Sequence, residues 1–411
     1  MSGLVERPAQ PLRAIALSIA PGALCIAVPA VARTEAGVEV GVSGTVSSNP
    51  DLVNNPKTGV SGVGTIVPWV RFESELSTIA VMGNLEYQKY TNRYSSHVTA
   101  WASVNANRRL SENVSVAGGL TYRRTSTVLD TFLATGAGSV IPGSGEVQIP
   151  TAPIPDVSFG NGRTRSESYE GSLSLSVTPG ERSSLSASAG FQLSRYPSLT
   201  GANSNNLHGS LGYNYQLSQR AGVNASVSFA RYDFLGTRVG DGWTVTPQLG
   251  GSYRLNESVS LSGSLGASLS RSHRPDGTIR EFTVFSGDLS LCKTAKRTKY
   301  CLNASRSAQS TALGGASAVN QVKFNMARAI GQYDSFSADI NYSRYDSPTI
   351  LGVVGRVSQF YGVSSSYSHS FAGRRLSAVV TPSFVRLTDD NGSKNNFEIR
   401  IGVRYRFGGR T

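Results

Sequence analysis

The chain has 411 residues, a formal charge of +13 and 44 glycines, yet only 16% of its residues are charged. A length of this order suggests two or three soluble domains at roughly 100–200 residues each, but sparse charge with abundant glycine, tyrosine and phenylalanine suits one large β-barrel in lipid. A metal site needs several ligands close together, and His97, His208, His273 and His369 are scattered singly.

Arg7 and Arg13 precede an apolar stretch that ends in Ala30-Val31-Ala32, a small-x-small cleavage pattern. Pro21 and Pro29 interrupt it, and no stop-transfer run follows. Residues 1–32 therefore read as a secretory signal and 33–411 as a single barrel domain. Leu24 stands before Cys25 where lipidation needs a small residue, so a lipid anchor is not expected. No later stretch reaches the about 20 apolar residues of a spanning helix, which leaves a closed barrel as the way across a bilayer.

After the signal, apolar and polar residues alternate in segment after segment. The pattern predicts an all-β, transmembrane, antiparallel up-and-down barrel of about eighteen strands (16–18), near residues 37–47, 62–73, 77–90, 97–109, 113–125, 165–178, 183–196, 206–217 and 221–232 in its first half. The second half reads 243–255, 258–270, 280–293, 297–307, 319–328, 333–345, 357–368, 374–387 and 396–407. Connections after even strands are short and those after odd strands mostly long, which places both termini in the periplasm. The longest connection, 126–162, is rich in Gly and Pro; it either folds inward to narrow a pore or extends outside. Pro68, Pro247 and Pro382 fall inside predicted strands, where bulges near a rim would accommodate the missing donor.

Cys292 and Cys301 flank a predicted turn. The register that sets Leu291 opposite Leu302 also sets the cysteines opposite each other, close enough for a disulfide in an oxidising compartment. Lys293, Lys296, Arg297 and Lys299 sit in and around that turn. With Arg404 and Arg406 they predict a positive periplasmic mouth, which either focuses anionic solutes or meets anionic head groups. Glu39, Glu86, Glu170, Asp288, Asp339 and Glu398 are expected on the lumen wall, together with Arg400.

The last strand, Asn396 to Phe407, carries Phe397, Ile399, Ile401, Val403, Tyr405 and Phe407 on one face and Glu398, Arg400, Gly402, Arg404 and Arg406 on the other. The spacing of Arg400, Gly402, Tyr405 and Phe407 resembles the C-terminal insertion signal of bacterial outer-membrane barrels, although four residues follow the final aromatic.

The segments VEVGVSGTVSSNPDLVNNPKTGVSGVGTIVPWVRFES and CLNASRSAQSTALGGASAVNQVKFNMARAIGQYDSFSADINYSRYDS resemble a loosely defined group of proteobacterial outer-membrane barrels, often associated with exopolysaccharide or envelope-sorting systems. The leading expectation is a channel for a hydrophilic solute, anionic or saccharide, with exopolysaccharide export as its specific version. The rival is a structural or surface-interaction barrel with a plugged lumen. Expected partners are outer-membrane lipid, the barrel assembly machinery, and anionic polysaccharide or envelope-export components. Hydrolase, zinc-protease and phosphate-loop motifs are missing from the sequence, so neither catalysis nor a cofactor is expected, and export excludes nucleic acid as a partner.

Overall fold

The computed structural model describes residues 33–91, 94–126, 165–197, 203–235, 241–273, 278–310, 316–346, 357–371, 375–389 and 392–408. Residues 1–32, residues 127–162 of the long connection, and Arg374 and Arg410 lie outside them. The described chain forms eighteen antiparallel strands. They are β1 (Arg33–Ser47), β2 (Gly59–Glu73), β3 (Ser77–Tyr90), β4 (His97–Ser111), β5 (Val114–Thr125), β6 (Ser166–Gly180), β7 (Ser183–Arg195), β8 (Ser204–Gln216) and β9 (Ala221–Phe234). The chain continues with β10 (Gly242–Arg254), β11 (Val259–His273), β12 (Ile279–Ala295), β13 (Thr298–Ser310), β14 (Ala316–Ala329), β15 (Asp334–Asp346), β16 (Val357–Phe371), β17 (Leu376–Asp389) and β18 (Gly392–Gly408). Each strand pairs with its sequence neighbours, and β1 pairs with β18 from Gly37↔Gly408 to Ser47↔Glu398. That last ladder closes the sheet, so no strand keeps an unpaired edge.

Both described termini lie at one end of the barrel, called the near end below; the opposite mouth is the far end. The near-end turns are short: Ser74–Leu76 joins β2 to β3, and Asn256 caps the β10–β11 turn by accepting from the Ser258 and Val259 amides. Most expected strand positions hold to within a few residues. The main difference is length at the far end, where β2, β11, β13 and β14 each run three residues beyond the alternation. The hydrophobic pattern stops where the apolar band stops, but the paired backbone has no reason to stop there.

The sheet is inverted relative to a soluble protein. Leu249, Val42 and Leu265 on the outer face are 72%, 64% and 63% exposed, whereas Ser268 and Ser286 on the inner face are 0% exposed. The inner face is concave enough that Arg400 on β18 reaches Glu86 on β3 at 3.2 Å across two intervening strands.

The three strand prolines are accommodated without bulges. Pro68, Pro247 and Pro382 keep their pairing to one neighbour (Val38, Val227 and Ile399). On the other side the ladder skips two positions and resumes in unchanged register, from Ile66↔Leu85 to Trp69↔Met82, Val245↔Leu269 to Gln248↔Gly266, and Ser364↔Ser383 to Tyr367↔Val380. A strand residue directs its N–H to only one neighbour, so proline interrupts only one ladder. Among the described residues the register shifts fall elsewhere, at the Arg109/Ser111 and Val177/Gly180 near-end turns.

At the second proline the neighbouring strand comes so close that a Cβ on Gly266 would run into the Pro247 carbonyl oxygen. Gly266→Val is therefore expected to reduce the folded fraction severalfold, scored as the compact band of unboiled protein on a detergent gel. Pro247→Val restores a donor worth about 1 kcal/mol and is expected to fold at least as well. Equal folding of Gly266→Val and the parent chain would contradict this packing.

Candidate functional site: the lumen

Every acid expected on the wall is there. Glu39, Glu86, Glu170, Asp288, Asp339 and Glu398 all stand at inward register positions. Five of them have a side-chain partner. Arg400 bonds both oxygens of Glu86 at 3.2 Å and lies 3.7 Å from Glu398. Nearer the termini, Arg404 and Arg406 flank Glu39 at 3.7 and 3.6 Å. Asp288 accepts from Ser264, and Asp339 from Asn325. The wall formed by β18, β1, β2 and β3 thus carries a stripe of ion pairs, which offsets the positive mouth expected from Arg404 and Arg406 alone.

The opposite wall is dominated by serine, with Glu170 and Asp288 among its charged residues. Ser172, Ser174 and Ser176 of β6 face Ser186, Ser188 and Gly190 of β7. The row continues through Ser226 and Ser228 of β9 to Ser262 and Ser264 of β11. Hydroxyls bond one another across strands, as between Ser188 and Ser210 at 2.7 Å and between Thr246 and Ser268 at 2.9 Å. His208 stands opposite Gly190, and its ring fills the space a Cβ there would take.

The β12–β13 hairpin carries the expected register, with Leu291↔Leu302 and Cys292↔Cys301. The cysteines form a disulfide with a Cα separation of 4.1 Å on the lumen side of the near end. The surrounding basic residues divide, because adjacent strand positions face opposite ways. Lys299 points inward with Cys301, but Lys293 points outward, its ammonium 5.8 Å from the Tyr300 ring centroid. Lys293 is therefore no part of the mouth. Lys296 and Arg297 occupy the turn between the strands.

The least expected feature is the β1–β2 connection, which bends inward. The Asn49 amide donates to Asn396 Oδ1 on β18 at 2.7 Å, and Ser47 Oγ donates to the same oxygen at 2.8 Å. Asn49 also exchanges two hydrogen bonds with the Val53 backbone, at 2.9 and 3.0 Å. Between these anchors Leu52 takes a φ of 49°, a left-handed conformation unusual for a branched apolar residue. Its side chain is 1% exposed, packed with Val319, Tyr345, Phe360, Val385 and Leu387. Those partners are inward residues of β14, β15, β16 and β17, so the loop covers roughly 24 Å of wall, taking five strand steps of about 4.8 Å. It narrows the far mouth along one side.

Residues 126–162, expected either to fold inward or to extend outside, fall almost wholly beyond the described residues, which end at Ser126 and resume at Arg165. A signal for the inward β1–β2 loop is present in the sequence. Val319, Tyr345, Phe360, Val385 and Leu387 are apolar residues on the polar face, all at the far ends of four adjacent strands, and they needed an apolar partner within the lumen.

No protein-family model matches the chain, and no curated protein does. Solved structures similar to it include the FrpB iron transporter of Neisseria meningitidis (9% identity, 91% of this chain and 82% of that one, TM-score 0.47). OprD of Pseudomonas aeruginosa shares 9% identity over 92% of this chain and 98% of its own, with TM-score 0.42. OccK7 of the same species shares 12% identity over 92% and 100%, with TM-score 0.46.

In the chain-entropy view the Cys292–Cys301 link, closing so short a loop, adds about 2–3 kcal/mol. Denatured, unreduced protein beginning at Arg33 is expected to take up no thiol reagent, and two equivalents after reduction. Two equivalents before reduction would contradict the bond.

Proposed function

We propose that the protein is a channel in the outer membrane of a Gram-negative bacterium, with its near end in the periplasm, passing a small polyhydroxylated or saccharide-like solute. The observation that carries this reading is the split between the two faces of one closed sheet. Far more large apolar side chains are exposed than buried, and each costs about 1.5–3 kcal/mol if left in water. Summed around the barrel, that cost exceeds the about 5–15 kcal/mol that stabilises an ordinary fold. A hydrocarbon surround removes it, and a barrel of sixteen to eighteen strands leaves an aqueous lumen.

The hydroxyl wall of β6 to β12 supplies neutral donors and acceptors for a polyol, and the ion-paired stripe opposite supplies charge-assisted hydrogen bonds of both signs. Pairing of Arg400, Arg404 and Arg406 with acids makes strong anion preference the less favoured version. Export of a whole exopolysaccharide requires the Leu52 loop to leave its cluster. That same cluster favours the rival reading, a structural or surface-interaction barrel with its lumen closed.

Current recording in planar bilayers separates the two readings. Leu52→Gly suits the left-handed backbone while deleting the apolar anchor, and is expected to raise conductance at least twofold. In the same recordings Arg400→Ala exposes Glu86 and Glu398 and is expected to shift the reversal potential toward cation preference, an effect that fades as salt shortens the Debye length below about 10 Å. Well-folded protein that conducts neither before nor after the Leu52 change would establish the closed barrel.

Tyr405 and Phe407 point outward with ring centroids 4.6 Å apart, and Gly402 lies so close to Ser43 that a Cβ would meet it at 2.5 Å. Beyond them Gly408, the last paired residue of β18, adopts a φ of 74°. These features support Gly402, Tyr405 and Phe407 as the signal read by the assembly machinery despite the tail. Phe407→Ala is expected to lower membrane insertion severalfold in a fractionation assay, whereas removal of residues 408–411 is expected to leave it near the parent level. The reverse order would place the signal in the tail.

A further inference from the structure

On the outer face, every odd-numbered strand from β5 to β17 carries one outward arginine near the far end. Arg124, Arg195, Arg231, Arg271, Arg306 and Arg344 stand on β5, β7, β9, β11, β13 and β15, and Arg386 continues the series on β17. Two positions nearer the middle of each strand the outward residue is apolar or aromatic: Tyr122, Leu193, Phe229, Leu269, Ala304, Tyr342 and Phe384 in turn. The arginines therefore mark the upper boundary of the apolar band.

Register shows that six of them come in level pairs. Arg124 and Arg195 both stand opposite Glu167, Arg231 and Arg271 both opposite Trp243, and Arg306 and Arg344 both opposite Asn320. The two arginines of a pair are thus two strand spacings apart, roughly 10 Å.

Acids are present but fewer. Glu167 pairs with Arg165, Asp233 with Arg231, Glu281 with Arg271 and Asp346 with Arg344, at 2.5–3.5 Å. The side chains of Arg231 and Arg344 remain 61% and 45% exposed, and exposed pairs of this kind are worth about 0–1 kcal/mol. A doubly charged phosphate competes well for such guanidinium groups because their planar fork matches its oxygens. Arg306 donates to the neutral Asn320, at 2.8 Å.

We propose that this belt binds the phosphates of the anionic glycolipid surrounding the far mouth, each arginine pair seating one headgroup that carries two phosphates. The inference rests on the proposed outer-membrane location. Its chemistry is specific to a lipid rather than to free phosphate: the cations are spread around the outer circumference, directly above apolar side chains that take the acyl chains, and not within the lumen.

The test uses the full barrel in detergent micelles, with lipid A as probe and its fully dephosphorylated form as control, and bound lipid counted by native mass spectrometry. The parent protein is expected to retain lipid A and to hold the dephosphorylated form at least fivefold less. Replacing both members of two pairs (Arg231→Gln, Arg271→Gln, Arg306→Gln and Arg344→Gln) is expected to lower retained lipid A at least fivefold. Arg108→Gln, on the outer face at the near end, is expected to leave retention unchanged. Equal retention of both lipids, equal retention by the fourfold variant, or release of lipid A by millimolar inorganic phosphate would each overturn the proposal. Heat-shifted gel mobility and bilayer conductance on the same preparations show whether the barrel itself is sound, so failure of the belt is distinguishable from failure of the channel reading.

Discussion

Closure of the backbone ladder is the constraint on which everything else depends. The β1–β18 pairing satisfies the two strands that would otherwise carry rows of open N–H and C=O groups. Once the sheet is closed, each side chain has only an inside and an outside, and alternation assigns it to one or the other. The outside takes Leu249 and Leu265 and the inside takes Ser268 and Ser286. The prolines show how strongly closure dominates: Pro68, Pro247 and Pro382 remove pairings from one ladder each, yet the register does not move.

The lumen is organised by position along the strand as well as by face. Near the termini it holds the Glu39 and Arg404–Arg406 cluster and the disulfide. In the middle it offers the Arg400–Glu86 pair opposite rows of serine. At the far end it becomes locally apolar, where Leu52 docks on β14–β17 and Tyr232 packs with Phe234 and Phe282. A hydroxyl-rich middle thus lies between a charged near end and a partly apolar far mouth.

Much of this was legible in the chain. Strand number, strand face, the wall acids and the cysteine register follow from period-two alternation, a purely local rule. What was illegible depends on contacts distant in sequence. The inward bend of the first connection needs Asn396, which lies 347 residues from Asn49. The pairing of Arg400 with Glu86 requires the ring to close first. The basic hairpin divides for a simpler reason: adjacent strand positions face opposite ways, so Lys299 lies inward and Lys293 outward. The arginine belt was present at fixed offsets from apolar residues, but its level emerges only from the ladders.

The central claim is that one face of each strand meets hydrocarbon and the other meets water. It is tested most directly by placing single cysteines at successive positions from Phe397 to Arg404, in a background with Cys292 and Cys301 replaced by serine, in protein reconstituted into vesicles. A membrane-impermeant maleimide should label positions 398, 400, 402 and 404 and spare 397, 399, 401 and 403, while a lipid-attached quencher should show the opposite phase. Labelling without a two-residue period, or in the reverse phase, would contradict the account.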